Sequence, residues 1–485
     1  MPIEIVVDVP KKILEIAEAV HAAGGRALLV GGCVRDELMG EEPKDWDLEV
    51  YGIEPSRLRE LLDRCDSVNV VGEAFTVYKL GRDVDVSLPR RDRKAGRGHR
   101  GFVIEGDPFM TIKDATSRRD FTVNAILQDP LTGEIIDPFN GRADLESRTL
   151  RAVSLNSFAE DSLRVLRAAQ FAARFEFDID PETVDASRLI DLSDLPSERI
   201  CGEMEKLLLR ARRPSIGLKW LRELHVIDQL FPEIKALIDV PQDPEWHPEG
   251  DVFVHTLLVV DRARELIDDL PHARQVTVML AALCHDFGKP STTEFIDERW
   301  RSRGHEEAGV EPTLSFLDRL NVHTLEGYDV RAQVAALVRD HLKPGEYFKK
   351  RDEVGDGAFR RLARKCELDL LYRVAKADSL GRNAEWIAPE RWYDARPQEW
   401  FIERARELEV ESKAPAPLLL GRHLLEMGLQ PGPRIGEITR AVYEMQLDGR
   451  VQDVEEAKLA AKNLLSADYA DYADQGKRND NKNAA

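Results

Sequence analysis

At 485 residues the chain is too long for one ordinary hydrophobic core, so two to four domains are expected. A hydrophobic content of 43% with 33% charged residues describes a soluble globular protein; no apolar run is long enough to span a bilayer, and MPIEIVVDVPKK lacks the apolar core of a signal peptide. The net charge of -20 works against a polyanionic partner, so any contact with nucleic acid must use local basic surface.

In chain order, residues 11–24 have the apolar spacing of an amphipathic helix (Ile13, Leu14, Ala17, Val20, Ala23) stopped by Gly24-Gly25. RALLVGG is a buried strand running into a glycine turn, VRDELMG opens a helix, and DWDLEVYG is a second strand. SRLRELLDRC is helical, while FTVYKLG and DVDVSL form a hairpin joined at Gly81-Arg82. These elements make a mixed α/β head within residues 1–150. The basic run Arg90–Arg100, RRDRKAGRGHR, reads equally as a solvated loop or as a mobile arm near RNA or triphosphate. Beyond it the pattern turns helical: a neck over residues 151–240 that includes a helix capped by Ser157, the proline-broken linker DPEWHPEGD, a helical region over 246–382, and a helical tail over 383–467. Residues 468–485 are polar and repetitive and are expected to be disordered. Five scattered cysteines without a CxxC pair argue against a disulfide framework or zinc ribbon and for a reducing cytoplasm. The fold class is α+β, a small mixed head followed by helices.

Asp45 and Asp47 bracket Trp46 on the second strand, so alternation puts both carboxylates on one face, with Cα atoms about 6–7 Å apart. That pair suits Mg²⁺, a hard cation that takes carboxylate oxygen, and Asp85 in DVDVSL is the candidate third ligand. Upstream, Gly31-Gly32 lets backbone approach a triphosphate at a helix N-terminus. Arg35, one turn on, offers a charge-assisted phosphate contact or a surface ion pair with Asp36 or Glu37.

LLVGGCVRDELMGEEPKDWDLEVYG resembles the head motif of class II tRNA nucleotidyltransferases and bacterial poly(A) polymerases. SRRDFTVNAI (117–126), GEIIDPFNGRADLESRTLR and EDSLRVLR (160–167) are similar to that family's later motifs and follow in the same order. The resemblance implies a polymerase β-like head in which Asp45 and Asp47 hold metal, Gly32, Arg35 and Arg119 contact the nucleotide, Asp161 and Arg164 read the base of CTP or ATP, and Arg167 lies at the phosphates. Asp161 and Arg164, three apart, equally suit a structural ion pair. The family often has a further arginine one turn after Arg167, where this chain has Gln170. The implied reaction is attack of a tRNA 3′-hydroxyl on the α-phosphorus with loss of pyrophosphate. Within the family, poly(A) addition or partial addition of only A or only CC are the alternatives. Outside it stand a protein-modifying nucleotidyltransferase of the signalling type, which would carry a ligand-sensing repeat that is not evident here, and a non-enzymatic RNA scaffold.

His285-Asp286 ends the apolar helix of LAALCHDFGKP; His255 precedes it, and His305, His341 and Asp378 follow. Imidazole and carboxylate together suit first-row metals. The order resembles HD phosphohydrolases with a two-metal site, for which Ni, Mn, Co or Fe would serve. Lys289 offers a phosphate partner, and Gly288-Lys289 equally reads as a helix end. The stretch from Trp246 to the HD pair is similar to the multifunctional branch of bacterial CCA-adding enzymes, which implies phosphatase and 2′,3′-cyclic phosphodiesterase activity. In the tail, GRHLLEMGLQPGPRIGEI reads as a helical hairpin that either packs on the body or holds RNA.

Overall fold

The structure, a computed structural model, describes residues 9–65, 68–71, 77–94 and 102–466. The C-terminal run from residue 467 and the second half of the basic run, within residues 95–101, lie outside the described residues. The chain forms two compact units. One contains residues up to Ala236 with Asp318–Asn321; the other contains Leu237–Leu317 and residues from Val322 onward. Among the described residues no helix is long and apolar enough to cross a membrane.

In the first unit, α1 (Lys11–Ala22) leads into β1 (Arg26–Val30), α2 (Gly32–Leu38), β2 (Trp46–Tyr51) and α3 (Pro55–Cys65). Four further strands follow: β3 (Val68–Val71), β4 (Val77–Leu80), β5 (Val84–Ser87) and β6 (Arg90–Lys94), the last paired with β7 (Phe102–Gly106). Part of the basic run is thus a strand rather than a loop. After α4 (Ile112–Ser117), β8 (Leu127–Gln128) and β9 (Ile135–Ile136) complete a seven-stranded sheet of order β3-β4-β5-β2-β1-β8-β9. β2 and β5 are parallel; the other pairs are antiparallel. Alternation gives this sheet two apolar faces. Ala27, Leu29, Leu48 and Val50 meet Ile13, Ile16, Leu58 and Leu62 of α1 and α3, and Leu28, Val30 and Leu127 pack with Ala115 of α4 on the other face.

The helices then run α5 (Gly141–Glu146), α6 (Leu155–Phe158) and α7 (Leu163–Phe175), with the short strands β10 (Thr149–Leu150) and β11 (Asp178–Ile179) paired in parallel beside them. The single helix expected from Ser157 is broken. Ser154, not Ser157, caps α6, and the chain turns at Glu160–Ser162 because Arg164 reaches back to donate to the Ser157 carbonyl at 2.6 Å. α8 (Pro181–Arg188), α9 (Ser197–Arg210), α10 (Pro214–Glu223), α11 (Val226–Leu230) and α12 (Pro232–Lys235) complete this unit, with α9 and α10 packed on α7.

The second unit is built on α13 (Val252–Arg264) and α14 (His272–Cys284), followed by α15 (Lys289–Thr292), the hairpin β12 (Thr293–Ile296) and β13 (Arg299–Ser302), α16 (His305–Ala308) and α17 (Val310–Arg319). The pair β14 (Thr324–Leu325) and β15 (Tyr328–Asp329) leads to α18 (Val330–Asp340), α19 (Lys343–Lys349), α20 (Asp356–Leu362), α21 (Leu368–Gly381) and α22 (Arg396–Glu407). α13 packs against α14 and α21, and α14 against α18, which brings the ends of four apolar helices together. α23 (Gly421–Glu426) and α24 (Pro433–Leu447) share a core of Leu419, Leu424, Ile438, Val442, Val451 and Ala457. Gly428, at φ +93°, ends the α23 segment as its sequence requires.

Candidate active sites

The head site lies at the ends of β2 and β5. Asp47 and Asp85 are direct register partners on these parallel strands, and the Trp46 N–H donates to the Asp83 carbonyl at 2.8 Å. β2 begins at that bond, so Asp45 stands just before the strand rather than on it. Asp45 and Asp47 are solvent-exposed while Trp46 between them is buried. Although Asp47 keeps an exposed edge, the protein packed around it strips part of its water and pushes its carboxyl up, and the charges of Asp85 and Asp45 push it further. Such mutual repulsion is what a divalent cation relieves, so the residues present fit one. Lys79 holds one oxygen of Asp85 at 2.9 Å, which leaves the other to a metal.

Beside the carboxylates, Gly31 takes φ +75° at the start of α2, and a Cβ there would lie 3.0 Å from Arg119 Nη1. Glycine therefore admits both the turn and the guanidinium. Arg35 is not the exposed group expected. It is 3% exposed, with its Nε on Asp36 Oδ1 at 2.8 Å, its Nη1 on Asn124 Oδ1 at 2.6 Å, and its guanidinium 4.4 Å from the Phe175 ring centroid. Asn124 in turn donates to Asp120 Oδ1 at 2.9 Å, and Asp120 Oδ2 accepts two bonds from Arg167 at 2.9 and 2.6 Å. One continuous polar chain thus joins the glycine turn, RRDFTVN and α7.

Asp161 precedes α7 and pairs with Arg199 on α9 through two bonds of 3.1 and 2.9 Å, not with Arg164. Burial would raise its carboxyl; Arg199 instead holds it below the usual range. Arg164 donates to two main-chain carbonyls, those of Ser157 and Arg118. Arg167 is spent on Asp120, with Glu203 at 3.9 Å, and Gln170 is buried on α7.

In the second unit all six expected ligands converge. His255 Nε2 lies 3.1 Å from Asp378 Oδ1 and 3.8 Å from Asp286 Oδ2. His285 Nε2 is 3.1 Å from Asp286 Oδ2, His305 Nε2 is 3.4 Å from Asp286 Oδ1, and the Nε2 atoms of His305 and His341 are 3.3 Å apart. Asp286 therefore belongs to two separate triads of possible ligands, one with His255 and His285 and one with His305 and His341, and turns a different oxygen to each.

The histidines are oriented from behind. Nδ1 of His285, His305 and His341 faces the carbonyl three residues earlier, at 2.8, 2.7 and 2.6 Å. A carbonyl only accepts, so each Nδ1 carries the proton and each Nε2 turns a lone pair inward. His285 Nε2 is buried without a hydrogen-bond partner although it faces a carboxylate oxygen. Two electron-rich atoms left facing each other fit a site meant for a cation. Burial alone would raise the Asp286 carboxyl, yet neighbouring positive charge, with the Lys289 ammonium 2.7 Å away, holds it well below the usual range. Burial lowers His341 to about 3, so its imidazole is neutral, as a ligand must be.

Position within the fold comes from close packing. A Cβ on Gly288 would fall 2.0 Å from the His305 carbonyl, so only glycine lets α16 approach the HD turn. The site floors a cavity of about 270 Å³ whose walls include Trp246, His247, Lys289, Trp300 and Arg382.

Family models match three stretches: "Poly A polymerase head domain" over residues 27–151, "Probable RNA and SrmB- binding site of polymerase A" over 176–238, and "HD domain" over 252–383. The chain is 37% identical over 429 residues to a multifunctional CCA protein of Xanthomonas oryzae pv. oryzae, covering 85% of this chain and 96% of that one. The chain belongs to the multifunctional CCA protein family. The family's protein from Stenotrophomonas maltophilia (strain R551-3) is also 37% identical, over 374 residues and 86% of its length. Two solved structures share the fold: a CCA-adding enzyme of Bacillus stearothermophilus in complex with CTP (TM-score 0.56, 19% identity, covering 95% of this chain and 100% of that one) and one of Thermotoga maritima complexed with tRNA (TM-score 0.56, 20% identity, covering 95% and 97%).

Three residues of this family member's sites escaped the sequence reading. Glu49, 1% exposed, accepts from Tyr51 OH at 2.6 Å and pairs with Arg118 at 3.1 Å; the alternation Asp45, Asp47, Glu49 was the available signal. Arg199 has no signal in local spacing. Glu249 accepts from Nδ1 of His247 at 2.9 Å and lies 2.7 Å from Nδ1 of His255, so a carboxylate stands behind His255 where carbonyls stand behind His285, His305 and His341.

Proposed function

We propose that this chain adds C and A to the 3′ ends of tRNA from CTP and ATP, releasing pyrophosphate, and that its HD site hydrolyses phosphate esters, including 2′,3′-cyclic phosphates. The observation that carries the first activity is the Asp47–Asp85 pair, in register and mutually repelling, beside the Gly31 turn and Arg119. Asp45, Asp47 and Asp85 hold Mg²⁺ there, since all the donors are hard oxygens. Bound divalent cations supply charge that favours an ionised 3′-hydroxyl and offsets that of departing pyrophosphate. Gly31-Gly32 admits the triphosphate and Arg119 contacts it. Arg35 and Arg167 act through the Asn124–Asp120 chain, which fixes α7 relative to the glycine turn. Asp161 keeps lone-pair capacity beyond the three bonds it accepts from Arg199 and the Leu163 N–H, and Arg164 keeps donors beyond the two spent on carbonyls, so both remain able to read a base edge.

At the HD site the imidazole-rich set favours a transition metal, Ni, Mn, Co or Fe, over Mg²⁺. Lys289 and Arg382 meet the phosphate. Addition of water to a cyclic phosphate with cleavage of its bond to O3′ would leave a 2′-phosphate and a free 3′-hydroxyl, and a second hydrolysis would release inorganic phosphate and leave an end that the head extends. We assign the head to residues 1–150, the neck to 151–240, the HD domain to 246–382 and the tail to 383–467. The five cysteines, none of them disulfide-bonded, fit a reducing cytoplasm.

The deciding experiment offers tRNA lacking its 3′ end to the protein with each labelled nucleotide in turn. CTP incorporation followed by ATP is expected, and Asp47→Ala should lower both by more than about 100-fold. Incorporation of ATP alone, or an Asp47→Ala protein as fast as wild type, sinks the reading.

A further inference from the structure

The cavity above the HD ligands carries two tryptophans that packing does not explain. Trp246 is 51% exposed and Trp300 is 37% exposed, and both line the same space as Lys289 and Arg382. Leaving so much indole in water is unfavourable, and an exposed aromatic pair at a pocket mouth marks a surface kept for a ligand. Each ring is placed by specific local structure. Trp300 lies on β13, where alternation puts Trp300 and Ser302 on the cavity face. Its cross-strand partner Phe295 lies against it at 5.0 Å between centroids. Trp246 sits in the turn that starts at Asp243, whose carbonyl accepts from the N–H groups of Trp246 and His247 at 3.0 and 2.8 Å. Arg299, next to Trp300, pairs with Asp243 at 3.9 Å and with Glu245, next to Trp246. This arginine ties the hairpin to the turn, so both indoles stand on one rim.

We infer that Trp246 and Trp300 are a stacking clamp for the base of the nucleotide whose phosphate occupies the HD site, and that this clamp makes the site select nucleotides over other phosphate esters. The inference rests on the proposed hydrolase reading and adds to it the part of the substrate that is recognised. Every base has a flat π-face, and no base-edge donor or acceptor is needed, so the clamp accepts any terminal nucleotide. The cavity of about 270 Å³ is the size of a small-ligand pocket, with the cations and the ligand set on its floor and the indoles at its rim.

The test compares 2′,3′-cyclic AMP with an abasic analogue, methyl ribofuranoside 2,3-cyclic phosphate, on the full-length, metal-loaded protein. Wild type should favour the nucleotide in kcat/KM by at least tenfold, and Trp246→Ala and Trp300→Ala should each erode that preference about tenfold, through KM, with Trp→Phe at either position retaining most of it. Equilibrium binding of 2′-AMP and of ribose 5-phosphate to the same proteins, followed by calorimetry, should show the same loss for the nucleotide alone. CTP incorporation by the head serves as the control for folding. If both esters lose equally, or neither does, the clamp is wrong. If neither ester is hydrolysed by wild type, the hydrolase reading fails, and the binding series still decides the clamp: a tryptophan-dependent preference for 2′-AMP supports it and its absence overturns it.

Discussion

Asp120 is the residue on which the head's polar chain turns. It is buried, takes both bonds from Arg167, and accepts from Asn124, which holds Arg35. Burial would push its carboxyl up; Arg167, Asn124 and the Phe121 N–H outweigh that and leave it below the usual range. A carboxyl lowered by folding contributes its full stability above the unfolded value of about 4 and loses it as pH falls through the folded value. The lowest thermal transition of the protein should therefore drop below about pH 4. Asp120→Asn should remove much of that acid dependence. At neutral pH it should cost about 1–3 kcal/mol, because the half-buried Arg167 loses its hydrogen-bonded carboxylate and keeps only Glu203, 3.9 Å away, seen by calorimetry as a fall of about five degrees in that transition.

At the scale of elements, the tight approach of α16 to the HD turn depends on one missing side chain. Gly288→Ala forces a Cβ into the His305 carbonyl and must push α16 outward. Metal content, measured by elemental analysis, and cyclic-AMP hydrolysis should both fall at least tenfold, while CTP incorporation by the head holds. Which elements the sequence revealed follows from the range of the forces. DWDLEV and DVDVSL announce their strands because alternation is local, and the six candidate HD ligands were legible as a set because all but His305 end, follow or occupy an apolar helix. The break before α7 was not, since it is set by Arg164 bonding to carbonyls at Ser157 and Arg118, one of them 46 residues away. Arg35 looked like a surface cation for the same reason: its burial depends on Asn124 and Phe175, far off in sequence. Asp161 with Arg199, and His255 with Glu249, are likewise partners chosen by the fold.

Across the whole molecule, two metal-binding chemistries share one chain: hard carboxylates in the first unit, imidazoles with carboxylates in the second. Stripping the protein with chelator should abolish both activities. Re-addition of Mg²⁺ alone should restore nucleotide incorporation and leave cyclic-AMP hydrolysis below about a tenth of that seen with Ni²⁺ or Mn²⁺. Equal rescue of hydrolysis by Mg²⁺ would overturn the assignment. The net charge of -20 sets a further condition, that tRNA binding come from local cationic surface and weaken steeply with salt. Three HD histidines are each pinned by a carbonyl three residues behind them, two at the ends of apolar helices and His305 by the last residue of β13. The cage is thus cast before its guest arrives, and loading needs little rearrangement.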